Sequence, residues 1–253
     1  MPDALKGRVA LVTGSSRGIG AAVAKLFARE GALVAVHGRN AEALEAVRRD
    51  IETGGGRAVA VTGDVTDFRA IEAMRRRIED ELGPADILVA NAGGNAAAPG
   101  PIEEIAEEGW RASVEGNLTA TFLTLKSFLP GMKARGRGAI VTVSSAAARR
   151  PHPRAPVAYA AAKAGIVILT QDAAAQAGPY GVRVNCVAPE TILTERNRAR
   201  IPLAQQEELR MAHPIQRLGA PEDVAQAVLY LASDAAGWIT GVVIDVAGGA
   251  VMV

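Results

Sequence analysis

The chain has 253 residues, 49% apolar and 22% charged, the composition of a globular protein with a substantial core. Its 28 basic and 27 acidic residues leave a formal net charge of +1, so no field favours nucleic acid or an anionic membrane. Apolar runs such as Ala139 to Val143 are far too short to span a bilayer, and the lone Cys186 excludes an intrachain disulfide and a multi-cysteine metal site.

Met1-Pro2-Asp3 has neither the basic start nor the long apolar stretch of a signal peptide, and a reducing, cytoplasmic location is expected. Short β-branched runs then alternate with longer amphipathic stretches. The runs are Val9 to Val12, Leu33 to Val36, Ala58 to Val61, Ile87 to Val89, Ile140 to Val143, Val182 to Val187 and Val242 to Val246. Helical patterns such as Ala41 to Thr53 and Phe68 to Leu82 lie between them. Strands alternating with helices predict a parallel α/β sheet, and continuous apolar runs predict strands covered on both faces. No linker interrupts the series, so residues 1–253 are expected to form one domain, doubly wound in the Rossmann manner, with about seven strands. Two segments break the pattern: Arg149 to Pro156, with three prolines, and the polar Thr191 to Pro214. Both follow strand C-termini, where open parallel sheets bind ligands, and a substrate lid is expected over about residues 190–214.

The first strand runs into Thr13-Gly14-Ser15-Ser16-Arg17-Gly18-Ile19-Gly20 and then a helical run, Ala21 to Arg29. A glycine-rich turn between the first strand and helix lets backbone N–H groups and the helix dipole meet a pyrophosphate. No Gly-Lys-Ser/Thr follows, which excludes a P-loop. The second strand ends in His37-Gly38-Arg39, with no carboxylate for the adenosine ribose. Arg39, with Arg17 on the other side, suits a 2′-phosphate, so NADP(H) is expected rather than NAD(H). His37 reads as a packing or solvated residue.

Tyr159 and Lys163 stand four residues apart, one helical turn, in Tyr-Ala-Ala-Ala-Lys. A phenol with a pKa near about 10 is poorly matched to neutral pH, and a neighbouring cation, Lys163 together with an oxidised nicotinamide, is expected to lower it. Ser144 and Ser145 end the fifth strand, where a hydroxyl could hold a substrate carbonyl. Asn117 lies in a helical stretch, Trp110 to Phe128. Asn91-Ala92-Gly93 ends the fourth strand, and Asp64-Val65 ends the third.

These motifs together resemble the classical short-chain dehydrogenase/reductase family along essentially the whole chain, including the strand Val184 to Pro189. The resemblance implies an oxidoreductase that exchanges hydride between a nicotinamide and a ketone or secondary alcohol. It also implies an Asn-Ser-Tyr-Lys catalytic set. Tyr159 is then the acid/base and Ser145 orients the carbonyl, while Lys163 holds the nicotinamide ribose and shifts the phenol. Asn117 supports a relay water. The resemblance extends the cofactor site from the glycine loop to Asp64, Val65 and Asn91 at the adenosine, and to Gly93, Pro189, Ile192 and Thr194. Thr194 is similar to the threonine that grips the carboxamide. Ser145 lies one residue farther from Tyr159 than usual, and Ser144 is the alternative.

Glu190 and Ala247 depart from the family pattern, which has glycine and aspartate there. The family is usually tetrameric, and a homotetramer or homodimer is expected. Many members of this length resemble 3-oxoacyl carrier-protein reductases, and Arg135 and Arg137 could then dock an acidic carrier. Arg196, Arg198 and Arg200 could bind an anionic substrate or simply be solvated, as could Arg149, Arg150 and Arg154. A non-catalytic nucleotide-binding regulator is the competing class, but such proteins tend to lose the tyrosine or lysine retained here.

Overall fold

The computed structural model describes residues 3–95, 97–151 and 155–252, so Pro153 and Arg154 of the proline-rich segment lie outside the described residues. Seven parallel strands form one sheet: β1 (Val9–Val12), β2 (Leu33–Gly38), β3 (Arg57–Thr62), β4 (Ile87–Ala90), β5 (Gly138–Val143), β6 (Val182–Pro189) and β7 (Val243–Val246). Their spatial order is β3-β2-β1-β4-β5-β6-β7. The order reverses between β1 and β4, and the crevice beyond the C-terminal ends of these two strands is the place for a ligand.

Side chains alternate across the strands and build a core on each face. Ala10 and Val12 face one way and pack with α1 (Gly18–Arg29), α2 (Ala41–Thr53) and α9 (Pro221–Ala232), through Phe27, Val47 and Val228 among others. Val9 and Leu11 face the other way, toward α3 (Phe68–Leu82), α5 (Ala120–Arg135) and α6 (Val157–Ala177), through Ile71, Phe128 and Ala173. A fully buried side chain such as Phe27 contributes about 2 kcal/mol. Doubly covered strands therefore need continuous apolar sequence. The exceptions are the two edge strands, β3 and β7, which are only partly buried.

Local chemistry sets the helix ends. Asn40 Oδ1 accepts from the Ala43 N–H at the start of α2 (2.9 Å), and Asp67 Oδ1 does the same for Arg69 at α3 (2.8 Å). The helix expected from Ala21 begins at Gly18. The stretch expected to be one helix from Trp110 to Phe128 is α4 (Glu107–Val114), a π-turn over Glu115–Thr119 and then α5, which stops at the left-handed Gly136. The polar segment after β6 holds two short helices, α7 (Glu195–Arg200) and α8 (Leu203–Ala212). Its ends are pinned where Leu193 N donates to the Gly219 carbonyl (2.7 Å). No helix among the described residues is long and apolar enough to cross a membrane.

Candidate active site

The turn after β1 is wound by Gly14 and Gly18, at φ +66° and +57°. A Cβ at Gly20 would stand 2.4 Å from the Gly14 carbonyl oxygen, and one at Gly14 would stand 2.9 Å from Ala92 Cα. Neither position accommodates a side chain. Ser15 ties the turn to its neighbours, its hydroxyl donating to the Val12 carbonyl and accepting from the His37 N–H, both at 2.8 Å. No side chain caps the start of α1 and no acid occupies its first turn. That leaves a backbone-walled, positive helix end, which fits a dinucleotide pyrophosphate.

Asn91 holds this turn from the adjacent strand. Its Nδ2 donates to the Thr13 and Gly14 carbonyls (2.9 and 3.1 Å), so the carboxamide secures the glycine loop. Gly38 faces the same turn: a Cβ there would lie 3.5 Å from Ser16 Oγ. Arg17 and Arg39 are both exposed beside it. Asp64 Oδ1 accepts from the N–H and hydroxyl of Thr66 (2.9 and 2.8 Å), and these bonds hold its carboxyl below the ordinary range, with Arg39 adding charge in the same direction. Val65 is buried next to it, and so is His37, whose imidazole is pushed down to about 4 by burial.

A cleft of about 280 Å³ opens from this turn across the sheet edge. Gly14, Arg17, Gly18, Ile19, Gly20, Asn91 and Gly93 line one end. Ser145, Tyr159, Lys163, Pro189, Ile192 and Thr194 line the other. Ser16, Arg39, Asp64 and Val65 lie beyond it on the β2–β3 side, and Asn117 stands behind its wall. The Thr194 methyl approaches the glycine turn, 3.1 Å from where a Gly18 Cβ would be, while its hydroxyl caps α7 by accepting from Asn197 N (3.3 Å).

The two serines have different partners. The Ser144 hydroxyl is buried and donates to the Lys163 carbonyl in α6 (2.7 Å), whereas the Ser145 hydroxyl accepts from the Ala147 N–H (3.2 Å) and lines the cleft with Tyr159. Lys163 is 4% exposed, and its Nζ donates to the Val143 carbonyl (2.8 Å) and lies 5.6 Å from the centre of the Tyr159 ring. Burial lowers its pKa to about 8. In the protein alone the phenol shifts upward, whereas from sequence Lys163 and an oxidised nicotinamide together are expected to lower it. Burial pushes Tyr159 above its ordinary value, the nearby Ser145 hydroxyl pulls it back, and the Glu190 carboxylate adds to the rise. In the protein alone desolvation outweighs the nearby ammonium.

Asn117 is fully buried in the π-turn. Its Nδ2 donates to the Gly94 and Ser113 carbonyls (2.9 and 2.8 Å), and its Oδ1 accepts from Gly94 N (3.1 Å). Gly94 is thus a site residue that the sequence reading passed over, although the doubled glycine after Asn91-Ala92 signalled it. Val143, which holds Lys163 through its backbone, has no side-chain signal to find.

Arg135 and Arg137 lie at the opposite edge of the sheet, where Arg135 donates to the Ala85 carbonyl (2.6 Å) and Arg137 pairs with Asp86 (3.1 Å). Within this chain they do not border the cleft. Arg149 pairs with Asp245 (3.1 Å), and Arg196 lines the cleft while Arg198 and Arg200 do not.

A family described as enoyl-(acyl carrier protein) reductase matches residues 14–251. The chain is 41% identical to cis-4-hydroxycyclohexanecarboxylate dehydrogenase of Sinomonas cyclohexanicum, over 98% of both proteins. It is 37% identical to D-threitol dehydrogenase of Mycolicibacterium smegmatis, over 97% of this chain and 93% of that one. A 3-oxoacyl-[acyl-carrier protein] reductase from Brucella melitensis, solved with bound NAD, superposes with a TM-score of 0.90 at 36% identity, covering 100% of this chain and 94% of that one. The chain belongs to the short-chain dehydrogenase/reductase family, oxidoreductases that act on alcohol or ketone groups with a nicotinamide cofactor.

Proposed function

We propose that this protein is an NADP(H)-dependent reductase of ketones in which Tyr159 is the general acid. The observation that carries the reading is the convergence of Ser145 and Tyr159 on one cleft wall, with Lys163 one turn along α6. A nicotinamide in the cleft supplies the hydride. Tyr159 gives its phenolic proton to the carbonyl oxygen as the carbon is reduced, and the product is a secondary alcohol. Ser145 holds that oxygen by a second hydrogen bond, fixing the face presented. Lys163 keeps two N–H donors beyond the one on Val143 for the ribose hydroxyls. Asn117 fixes the Gly94 backbone and supports the water that returns a proton to Tyr159; π-turns recur at functional sites.

The choice of NADP(H) rests on Gly38, which puts no carboxylate beside Ser16, and on the exposed Arg17 and Arg39. Asp64, Val65 and Asn91 border the adenosine, and Pro189, Ile192 and Thr194 the nicotinamide. Residues 1–253 act as one domain, with about 190–214 as the lid. The exposed Trp110, Phe122 and Ile168 on α4, α5 and α6 support assembly as a homodimer or homotetramer. The buried thiol of Cys186 suits the cytoplasm.

Tyr159→Phe is expected to lower kcat for ketone reduction by roughly 10²- to 10⁴-fold, with NADPH binding retained, as followed by NADPH absorbance and fluorescence. Activity retained in that variant overturns the assignment.

A further inference from the structure

The segment after β6 meets the catalytic cleft at its first helix. Leu193 N donates to the Gly219 carbonyl (2.7 Å) and Asn197 Nδ2 to the Ile192 carbonyl (2.8 Å), so the entry to α7 is pinned beside the cleft. Ile192 and Thr194 line the cleft there, and Arg196, in the first turn of α7, lines it with them. The Arg196 side chain reaches over to the residues that follow β4. Its Nη1 lies 3.8 Å from where a Gly94 Cβ would be. Gly94 is held in place, because Asn117 bonds both its N–H and its carbonyl. The Lys163 ammonium lies 3.4 Å from where a Cβ of the preceding Gly93 would be. Guanidinium and ammonium thus flank one Gly-Gly dipeptide, in the cleft whose wall carries Tyr159 and Ser145.

Among the described residues three cations line this cleft, Arg17, Lys163 and Arg196. Arg17 belongs to the glycine turn, on the phosphate side, and Lys163 is buried on the Val143 carbonyl. Arg196 is left over. It is exposed and makes no hydrogen bond or ion pair among the described residues. Its neighbours are engaged: Arg198 Nε donates to the Leu193 carbonyl (3.4 Å), Arg149 pairs with Asp245 (3.1 Å) and Arg217 with Asp223 (2.6 Å). A ligand that fills the cleft displaces the water around this guanidinium, and a neutral apolar one supplies no acceptor in return. A carboxylate does, since its two oxygens match the planar donor fork. Glu190 and Glu195 border the same cleft and repel a doubly charged phosphate about twice as strongly as a carboxylate. The single charge is the better match.

We propose that Arg196 is a specificity-determining residue that binds a carboxylate on the substrate, so that the preferred ketones are keto acids and the products hydroxy acids. The inference rests on the ketone-reductase reading above and adds a substrate class to it. The hydride of NADPH goes to the ketone carbon and the Tyr159 proton to its oxygen, while the carboxylate on Arg196 is unchanged.

The test sets 4-oxopentanoate, 6-oxoheptanoate and 4-oxocyclohexanecarboxylate, which separate ketone and carboxylate differently, each against its methyl ester with NADPH. In the wild type at least one acid should exceed its ester in kcat/KM by on the order of 10- to 100-fold, the gain from charge-assisted hydrogen bonds. Arg196→Met should bring that ratio to about one, and Arg196→Glu should bring it below one. Arg200→Met, on the same helix but outside the cleft, should leave the ratio as in the wild type. Calorimetric titration of each acid into the protein saturated with NADP⁺, which cannot reduce it, reads the same contact without turnover. Arg196→Met should weaken that binding at least about tenfold. Acids no better than their esters overturn the site, as does a preference that survives Arg196→Met. An Arg196→Met variant whose one change is a higher KM for NADPH also overturns it, by placing the guanidinium on the cofactor phosphates. No reduction of any ketone, with acid binding still dependent on Arg196, would instead overturn the ketone-reductase reading and leave the carboxylate site standing. Neither reduction nor binding would overturn both.

Discussion

Replacing Lys163 with methionine is expected to stabilise the protein while removing a group its chemistry needs. Burial lowers the ammonium from 10.5 to about 8, which at about 1.36 kcal/mol per unit amounts to roughly 3 kcal/mol against the charged form. The folded chain holds this proton less tightly than the unfolded chain. The cost is therefore present in full below pH 8, where both states are charged, and is relieved as the pH rises from about 8 to 10.5. Methionine has nearly the same length and no charge, but it leaves the Val143 carbonyl without the lysine's hydrogen bond, a loss of about 1–1.5 kcal/mol. The net gain at pH 7 is then on the order of 1.5–2 kcal/mol. For a chain of 253 residues this corresponds to a Tm higher by about 3–8 °C. Thermal unfolding by circular dichroism between pH 6 and 10 reads it directly. The variant should melt above the wild type at pH 7, and the gap should close toward pH 10. A variant that melts below the wild type at pH 7, or a gap independent of pH, would refute the view that Lys163 is a charge buried at a cost to stability.

The two serines should separate cleanly. Ser144→Ala loses the bond to the Lys163 carbonyl and should cost about 1 kcal/mol of stability with turnover retained, whereas Ser145→Ala should lower kcat by roughly 10²- to 10³-fold. Comparable kcat losses in both would remove the assignment. Gly38→Asp builds a carboxylate from a Cβ position 3.5 Å from Ser16 Oγ, where it repels a 2′-phosphate. The NADPH-to-NADH ratio of kcat/KM should drop at least about tenfold, and an unchanged ratio would sink the cofactor argument.

Much of the fold was legible because the sheet is covered on both faces. Strands such as Val9–Val12 and Val34–Val36 must be apolar at every position, and that is visible without any contact information. The glycine turn was legible for a steric reason, since at Gly14 and Gly20 backbone occupies the place of a side chain. The rest depended on three-dimensional neighbours. Nothing in the sequence around Asn117 marks a π-turn. The strand alternation that separates Ser144 from Ser145 indicates that they diverge, but only the packing of α6 on β5 shows which one meets the Lys163 backbone. The placement of Arg135 and Arg137 was hidden for a related reason. Their charge is plain in sequence, but which sheet edge they occupy depends on the chain direction through β4 and β5.

The sign of the Tyr159 shift is the instructive case. Spacing reveals that an ammonium stands one turn away, and on that ground alone the phenol should fall. Spacing carries no information about water. In the folded protein burial acts on both members of the pair, raising the phenol and lowering the ammonium, because each shift disfavours a charge in the same dry wall. The two shifts work in one direction chemically. They keep the proton on the phenol, the form able to donate to a carbonyl oxygen, and Glu190 reinforces this by opposing phenolate. Alcohol oxidation begins from the other form, with the phenol deprotonated. A raised pKa leaves Tyr159 protonated at neutral pH, as an ordinary phenol is, and also makes it a weaker acid, so the shifts set a protonation state and not a direction of turnover.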